Sequence, residues 1–285
     1  MHRGLPRSAL GPFAGFASFG ILWGAWAALV PLTRADVGAS EGALGLALLC
    51  VAVGSLPAML LVGPAINRRG RRVLPWVLVA QAVTAVLIAL AGSVPVLAAA
   101  LFAMGAASGA VDVAINSAAG DVEAHTGRRV MQLAHALFSA GVLAGAVGAG
   151  LAREAGAGRL PILAAVAVVI LAAALANRGA ASPAPAAASR SRIRFRRPFV
   201  LIGIACGAAF LVEGGIENWS ALYLEQDLDA TPALSALGPG AYALAMVTGR
   251  LTGQWLTGRL PDRVLLACGA AVATVGLVLT TAAPG

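Results

Sequence analysis

Residues 63–72 read Gly-Pro-Ala-Ile-Asn-Arg-Arg-Gly-Arg-Arg and join two long stretches that carry no charge. The first stretch runs from Gly42 to Asn67 and the second from Val73 to Val111. A helix needs about 20 predominantly apolar residues to cross the hydrocarbon core of a bilayer, so each stretch can span it. The arginines between them predict a turn at the membrane surface that joins two membrane helices.

The same pattern of uncharged stretches continues along the chain in both directions. Because 73–111 is too long for one helix, we predict a break at Gly92-Ser93-Val94-Pro95. One further predicted span, 199–224, contains two acids, Glu213 and Glu217. Nine spans are predicted in total, and the remaining ones lie in the stretches 8–33, 130–152, 160–177, 230–249 and 264–285.

The composition excludes a water-soluble globule. Of the 285 residues, 59% are hydrophobic and 11% are charged, against roughly 25% charged residues in soluble domains. We therefore predict an all-α polytopic membrane protein. The net charge of +8 does not indicate nucleic-acid binding, because membrane proteins concentrate arginine in cytoplasmic loops. The three cysteines are far apart within apolar stretches, so we expect neither a metal site nor a cofactor.

The distribution of arginine predicts the orientation of the chain. If the amino terminus is cytoplasmic, the arginines of 68–72, 128–129, 178–197 and 259–263 all lie on the cytoplasmic side. The opposite loops contain three arginines and six acids, namely Arg34, Arg153, Arg159, Asp36, Glu41, Glu154, Glu225, Asp227 and Asp229. The positive-inside rule thus predicts a multi-pass protein of the bacterial cytoplasmic membrane with its amino terminus inside the cell.

The segment 179–197 is rich in Ala, Pro, Ser and Arg, which is typical of a flexible linker. We predict that it joins a bundle of six helices in residues 1–178 to a partial bundle of three helices in residues 198–285. Its basic cluster either binds anionic headgroups or acts only as a topology signal.

The segments before and after this linker resemble each other. An offset of 193 aligns Trp26 with Trp219, and an offset of 195 aligns Gly45 with Gly240, Gly54 with Gly249, Gly63 with Gly258 and Asn67 with Asp262. Predicted spans seven to nine therefore repeat spans one to three in the same order. Parallel repeats of this kind are typical of secondary transporters built from two bundles.

The stretch 63–72 resembles the signature loop of the major facilitator superfamily, which has Gly, three residues, Asp-Arg, one residue and Gly-Arg-Arg. The resemblance implies that the loop braces the inner gate by contacts with neighbouring helix ends, through a neutral hydrogen bond where Asn67 replaces the acid. The matching residues are Gly63, Asn67, Arg68, Gly70, Arg71 and Arg72, with Gly258, Asp262 and Arg263 in the second copy.

A narrower resemblance, to the MosC/YbjJ-like branch of the superfamily, rests on the segments 112–116, 135–139 and 213–224 together with Glu123. It implies a transporter with twelve helices in two bundles. Because nine helices are predicted in this chain, we expect three to be missing at the carboxyl terminus.

Acids at membrane depth are costly unless they face the bundle interior or a water-filled path. Asp112 and Asn116 share one face of the fourth helix, and Glu213 and Glu217 share one face of the seventh. Asp112 and His135 lie at similar depth, so we predict that they pair, either to share a proton during gating or as a permanent structural contact.

Glu213 is predicted near the midplane, with Glu217 one turn nearer the outer face beside Asn218 and Trp219. We predict that both acids line a cavity, where one binds a polar or cationic solute and the other carries a proton. The alternative for Glu217 is that it extends to the outer interface. Trp219 and Trp26 either flank the cavity or anchor the helices at the interface.

The sequence predicts a monomeric, non-enzymatic secondary active transporter that moves a small solute by alternating access coupled to protons. Arg250 is expected to extend to the membrane surface or to brace the second signature loop. One alternative is a non-transporting membrane protein or a truncated remnant. Another is an intramembrane enzyme, in which Ser108 before Gly109 and the remote His135 act as nucleophile and base.

Overall fold

A computed structural model describes residues 6–178, 197–257 and 259–282 of the chain. Within these residues the fold is α-helical, which confirms the predicted class. The described residues contain nine long helices, namely α1 (Leu10–Val37), α2 (Glu41–Arg69), α3 (Val73–Ala89), α4 (Val94–Thr126), α5 (Met131–Glu154), α6 (Arg159–Ala176), α7 (Arg197–Gln226), α8 (Leu237–Leu256) and α9 (Asp262–Ala282). A single helical turn, Pro232–Ser235, precedes α8.

Seven stretches of the described residues are long and apolar enough to cross a membrane. One of them, Glu41–Ala89, contains both α2 and α3. The polar residues of α8, among them Arg250 and Gln254, explain why this helix is not among the seven. The chain is thus a multi-pass membrane protein, as its composition predicts.

The helix ends follow local signals in the sequence. The Ser40 hydroxyl accepts a hydrogen bond from the Ala43 amide at 3.2 Å and caps the start of α2. Gly38 and Gly127 end α1 and α4 in the left-handed conformation, with φ of 64° and 65°. The break predicted at 92–95 is confirmed, because α3 ends at Ala89 and α4 begins at Val94.

Glycines bring the helices of the first part into close contact. Helix α1 packs against α5, α2 against α4, and α3 against α6. A Cβ added to Gly24 on α1 would lie 1.9 Å from the Val142 carbonyl oxygen, and one on Gly145 of α5 would lie 2.2 Å from the Ile21 oxygen. Small residues at such contacts let membrane helices approach until their backbones touch.

The two ends of the helix assembly differ in charge. At the end that we call the acidic end, the Arg159 guanidinium contacts Asp36 at 2.7 Å and donates to the Ala91 carbonyl at 3.0 Å. At the opposite end, the basic end, Arg71 donates to the Ser8 carbonyl at 3.1 Å. The loops of the first six helices therefore alternate between the ends as the charge pattern predicts.

Helices α7 and α8 run in the same directions as α1 and α2. The carboxyl end of α7 lies at the acidic end, where Glu225 contacts Arg153 of α5. The carboxyl-terminal part of α8 lies near the basic end, where Arg250 contacts the amino-terminal part of α5 at His135. The repeat that the glycine and tryptophan spacing predicts is thus parallel in these two helices.

Candidate functional site

A cavity of about 490 Å³ lies between α1, α2, α4, α5, α7 and α8. Volumes of this size are typical of pockets that bind small organic molecules. Five of the polar residues that the sequence places at membrane depth line it, namely Asp112, His135, Glu213, Glu217 and Asn218. The other polar side chains of the wall belong to Ser55, Ser108 and Arg250.

Glu213 and Glu217 lie on successive turns of α7 and face this cavity. Both side chains are half-buried. In the part of the chain that the structure describes, neither carboxyl group accepts a hydrogen bond from another residue. A carboxyl group at membrane depth that accepts no hydrogen bond from the protein can hold a proton, water or a ligand, because a charge without such contacts is costly in a medium of low dielectric constant.

Asp112 on α4 contributes a third carboxyl group to the cavity wall. Its carboxylate accepts a hydrogen bond from the Asn116 amide at 3.1 Å, and the same amide donates to the Asp112 backbone carbonyl at 2.9 Å. Asn116 itself does not line the cavity. Asn116, which shares a helix face with Asp112 as predicted, is therefore a partner that orients Asp112.

The predicted pairing of Asp112 with His135 is not formed in this structure. Asp112 is satisfied by Asn116 on its own helix, whereas the His135 ring packs against the Phe16 ring with 5.1 Å between the ring centroids. Equal depth in the membrane does not make two side chains point towards each other, and here each one faces the same cavity. Ser108 does not pair with His135 either, since its hydroxyl donates to the buried Gln81 side chain at 3.2 Å.

Arg250 lines the cavity, although the sequence suggests that it extends to the membrane surface or braces a loop. Its guanidinium donates to the His135 carbonyl at 3.0 Å and to the Ser139 hydroxyl, so it ties α8 to α5. It also lies close enough to interact electrostatically with Glu213 and Glu217. The expectation for this residue is wrong because the polar groups of α5 offer partners within the bundle.

Aromatic rings form much of the apolar wall of the cavity. Their position there was not predicted from the sequence. Phe16, Phe19 and Trp23 line the cavity from α1, and Phe138 lines it from α5. The Phe19 centroid lies 5.5 Å from that of Phe138 and 6.3 Å from that of Trp23. The signal was present in the spacing of the three α1 rings, which places them on one helix face.

The two tryptophans of the repeat have different environments. Trp26 is buried, and its indole N–H donates to the Asn218 side-chain oxygen at 3.0 Å. Asn218 in turn donates to the Gly214 carbonyl at 2.8 Å. Trp219 is exposed over 36% of its surface and does not line the cavity. Trp26 thus connects α1 to α7 beside the cavity, whereas Trp219 lies outside it.

Contacts at the acidic end also join α7 to the first six helices. The Arg153 guanidinium forms two hydrogen bonds with the Glu225 carboxylate, at 2.6 and 2.9 Å, and donates to the Ala28 carbonyl at 2.7 Å. The Ser235 hydroxyl donates to the same carboxylate at 2.5 Å. We call this group of four residues the Arg153 clamp. Paired forks of this kind are among the stronger polar contacts in proteins.

The signature loop, residues 63–72, contains a glycine with a positive φ and an arginine that contacts other helices. Gly70 has a φ of 56°, a conformation that residues with a side chain rarely adopt. Arg71 donates to Ser8 and interacts electrostatically with Asp121 near the end of α4. Gly63 lies within α2, and Asn67, Arg68 and Arg72 are exposed.

The expected neutral brace through Asn67 is not formed, because its side chain makes no hydrogen bond within the described residues. The second copy of the loop begins at Gly258, which lies outside the described residues. Asp262 and Arg263 are exposed at the start of α9. No cluster of three or more metal-binding side chains occurs among the residues placed by the structure.

Comparison with known proteins agrees with this architecture. The family model of the Major Facilitator Superfamily matches residues 13–285. An uncharacterised MFS-type transporter of Yersinia pestis is 34% identical over 91% of this chain and 68% of its own length. An uncharacterised transporter of Sinorhizobium fredii is 31% identical over 94% of this chain and 73% of its own.

The membrane protein MosC of Rhizobium meliloti is 27% identical over 90% of this chain and 64% of its own length. Its presence among the relatives agrees with the resemblance of the segments 112–116, 135–139 and 213–224 to the MosC/YbjJ-like branch. With the family model matching nearly the whole length, the chain belongs to the Major Facilitator Superfamily of membrane transporters.

Proposed function

We propose that the chain is a secondary active transporter that moves a small solute by alternating access, with protons as the coupling ion. The observation that carries this proposal is the pair of carboxyl groups, Glu213 and Glu217, that face a cavity of about 490 Å³ without a hydrogen-bond partner among the described residues. Such groups at membrane depth typically mark substrate and proton pathways.

The packing supports two units that move against each other. We infer that residues 1–178 form the first bundle, that 198–285 belong to the second, and that 179–197 link them. The cavity lies between these units, because α1, α2, α4 and α5 line one part of its wall and α7 and α8 the other. Sites between parallel repeats are where transporters of this type bind their substrates.

The charge pattern suggests the orientation. Since arginine is concentrated at the basic end, we infer that this end and the amino terminus face the cytoplasm. The Arg153 clamp and the Trp26–Asn218 hydrogen bond lie between the cavity and the acidic end, as judged by their positions along α1 and α7. This arrangement corresponds to a state closed towards the outside.

The cavity supports coupling to protons within a single chain. Asp112, Glu213 and Glu217 place three carboxyl groups on its wall, and each can bind a proton when no solute is present. We infer that the monomer is the transporting unit.

Cysteine labelling from both sides of the membrane tests alternating access. In a variant whose Cys50, Cys206 and Cys268 are replaced by serine, Ser55→Cys places one thiol on the cavity wall. A membrane-impermeant thiol reagent should label it in both right-side-out and inverted vesicles. The control, Arg69→Cys, lies at the end of α2 and should be labelled in one type of vesicle alone. Labelling of Ser55→Cys from one side only, with and without a pH gradient, would contradict the proposal.

A further inference from the structure

We propose that the solute is an organic monocation, a protonated or quaternary amine attached to an apolar body. This inference rests on the proposed function, because it takes the cavity as the transport site. It is carried by one cavity that contains both Glu213 and Glu217, whose carboxyl groups accept no hydrogen bond within the described residues, and five aromatic rings.

The charges of the cavity favour a cation. Its wall contains three carboxyl groups and one guanidinium. The guanidinium of Arg250 is already bound to the His135 carbonyl and the Ser139 hydroxyl, and Asp112 is bound by Asn116. These partners are uncharged and leave the charges in place, so the three carboxyl groups outnumber the one guanidinium. With its carboxyl groups ionised, the site therefore has an excess of negative charge. An anion would be repelled by these acids and would have to compete with α5 for Arg250.

The aromatic wall favours an apolar body on that cation. Phe16, Phe19 and Trp23 of α1 line the cavity together with Phe138 of α5 and Phe210 of α7. Aromatic faces attract ammonium groups and pack against hydrocarbon. The Arg250 guanidinium already lies 6.0 Å from the Phe138 ring centroid, which shows a cation next to this wall.

The same wall is poorly suited to a sugar-like solute. A polyol needs many hydrogen-bonding groups, because each buried hydroxyl without a partner weakens binding. Apart from its charged groups and His135, the hydrogen-bonding side chains of the cavity are those of Trp23, Ser55, Ser108 and Asn218. Ser108 already donates to Gln81, and Asn218 already bonds to Trp26 and Gly214.

Protons and the organic cation would compete for the same carboxyl groups. The ionisable side chains that face Glu213 and Glu217 are Asp112 from α4, His135 from α5, and Tyr242 and Arg250 from α8. Among the described lining residues, α1 and α2 contribute no ionisable group. Binding of a monocation should therefore release up to about one proton, and its affinity should rise with pH by at most about tenfold per unit.

Equilibrium binding tests the charge of the ligand without requiring transport. The probes are benzyltrimethylammonium and benzenesulfonate, which present opposite charges on the same ring. Isothermal titration calorimetry of the full chain in lipid nanodiscs, in two buffers of different ionisation enthalpy, gives the affinity and the number of protons released. We expect a Kd for benzyltrimethylammonium at least tenfold below that for benzenesulfonate, with proton release on binding.

Substitutions locate the site. Glu217→Gln and Glu213→Gln should each weaken benzyltrimethylammonium binding at least tenfold and reduce proton release, whereas Glu41→Gln, an exposed acid at the acidic end, should change neither. If the cavity variants do not fold, the affinities of the unmodified chain for the two probes still test whether the site prefers a cation. Equal affinities, tighter binding of benzenesulfonate, or no saturable binding of either probe would overturn the inference.

These outcomes are independent of the labelling experiment. Cation binding without two-sided access at Ser55→Cys would contradict the proposed transport function but leave the ligand class intact. Two-sided access with tighter binding of benzenesulfonate would contradict the ligand class alone.

Discussion

Trp26 donates its indole N–H to the Asn218 side-chain oxygen at 3.0 Å across a sequence separation of 192 residues. That separation is one less than the offset of 193 that aligns Trp26 with Trp219. A second contact, between Arg34 and Gln226, also joins residues 192 apart. Repeat-related helices α1 and α7 therefore meet through nearly equivalent positions, as expected for parallel repeats about an axis along the membrane normal.

Loss of the Trp26 hydrogen bond should weaken the contact between α1 and α7. Trp26→Phe removes the indole N–H donor and leaves the Asn218 side-chain oxygen without a hydrogen bond. This should lower the free energy of unfolding by roughly 1–3 kcal/mol. We expect a lower midpoint of thermal unfolding in detergent, measured by tryptophan fluorescence. Trp76→Phe is the control, because Trp76 is 72% exposed on α3. Equal midpoints for the two variants would show that the hydrogen bond does not stabilise the fold.

Breaking the Arg153 clamp should open the acidic end. Glu225→Gln removes the charge that pairs with Arg153. It should shift the equilibrium between the states closed and open at the acidic end towards the open state by roughly 1–2 kcal/mol, or about five- to thirtyfold. The measurement is the rate at which an impermeant reagent labels Ser55→Cys from the acidic side, which should rise by that factor. Glu41→Gln, whose carboxylate lies 3.5 Å from Arg34 and is 69% exposed, should leave the rate unchanged. An unaltered rate in Glu225→Gln would mean that the clamp does not close this end.

The glycine contacts between α1 and α5 predict that two similar substitutions on α5 have very different effects on stability. In Gly145→Ala the new Cβ would lie 2.2 Å from the Ile21 carbonyl oxygen, so the helices must move apart. We expect a loss of about 1–3 kcal/mol from overpacking. Gly148→Ala, on the same helix, meets nothing within 4 Å and should be neutral or slightly stabilising. Thermal unfolding of both variants decides this, and equal stabilities would refute close packing at Gly145.

Arg250 should oppose the binding of organic cations. Arg250→Gln keeps polar groups that can reach α5 but removes a positive charge from the cavity wall. At an effective dielectric constant near 20, this should favour a cation by on the order of 1 kcal/mol, or about fivefold in Kd. Titration with benzyltrimethylammonium measures the change, and Arg250→Lys is the charge-conserving control. Fivefold weaker binding in a folded Arg250→Gln variant would contradict the charge argument.

Much of the helical framework could be predicted because the bilayer fixes helix length and arginine marks the loops. The break between α3 and α4 and the parallel course of α7 with α1 follow from such signals. The position of Glu213 and Glu217 at a cavity was also predicted, since acids avoid lipid. Asp112 was predicted to pair with His135, and its position at the same cavity was not predicted.

The partners of these residues could not be predicted from depth. Asp112 and His135 lie at similar depth, but Asn116, four residues from Asp112 on one helix, satisfies the carboxylate locally. Arg250 turns towards α5, and Arg153 pairs with Glu225, because of how the helices are rotated about their axes. Helix rotation depends on packing with distant segments, which the spacing of single residues does not specify.

The most direct test of alternating access is a pair of distance measurements between spin labels across the two units. One pair, Ala155→Cys with Leu228→Cys, reports on the acidic end, and the other, Arg69→Cys with Leu260→Cys, reports on the basic end; all four positions are exposed. Between low and high pH, the distance at one end should lengthen while the distance at the other shortens. Distances that stay constant, or that change in the same direction at both ends, would contradict a rocking movement about the cavity.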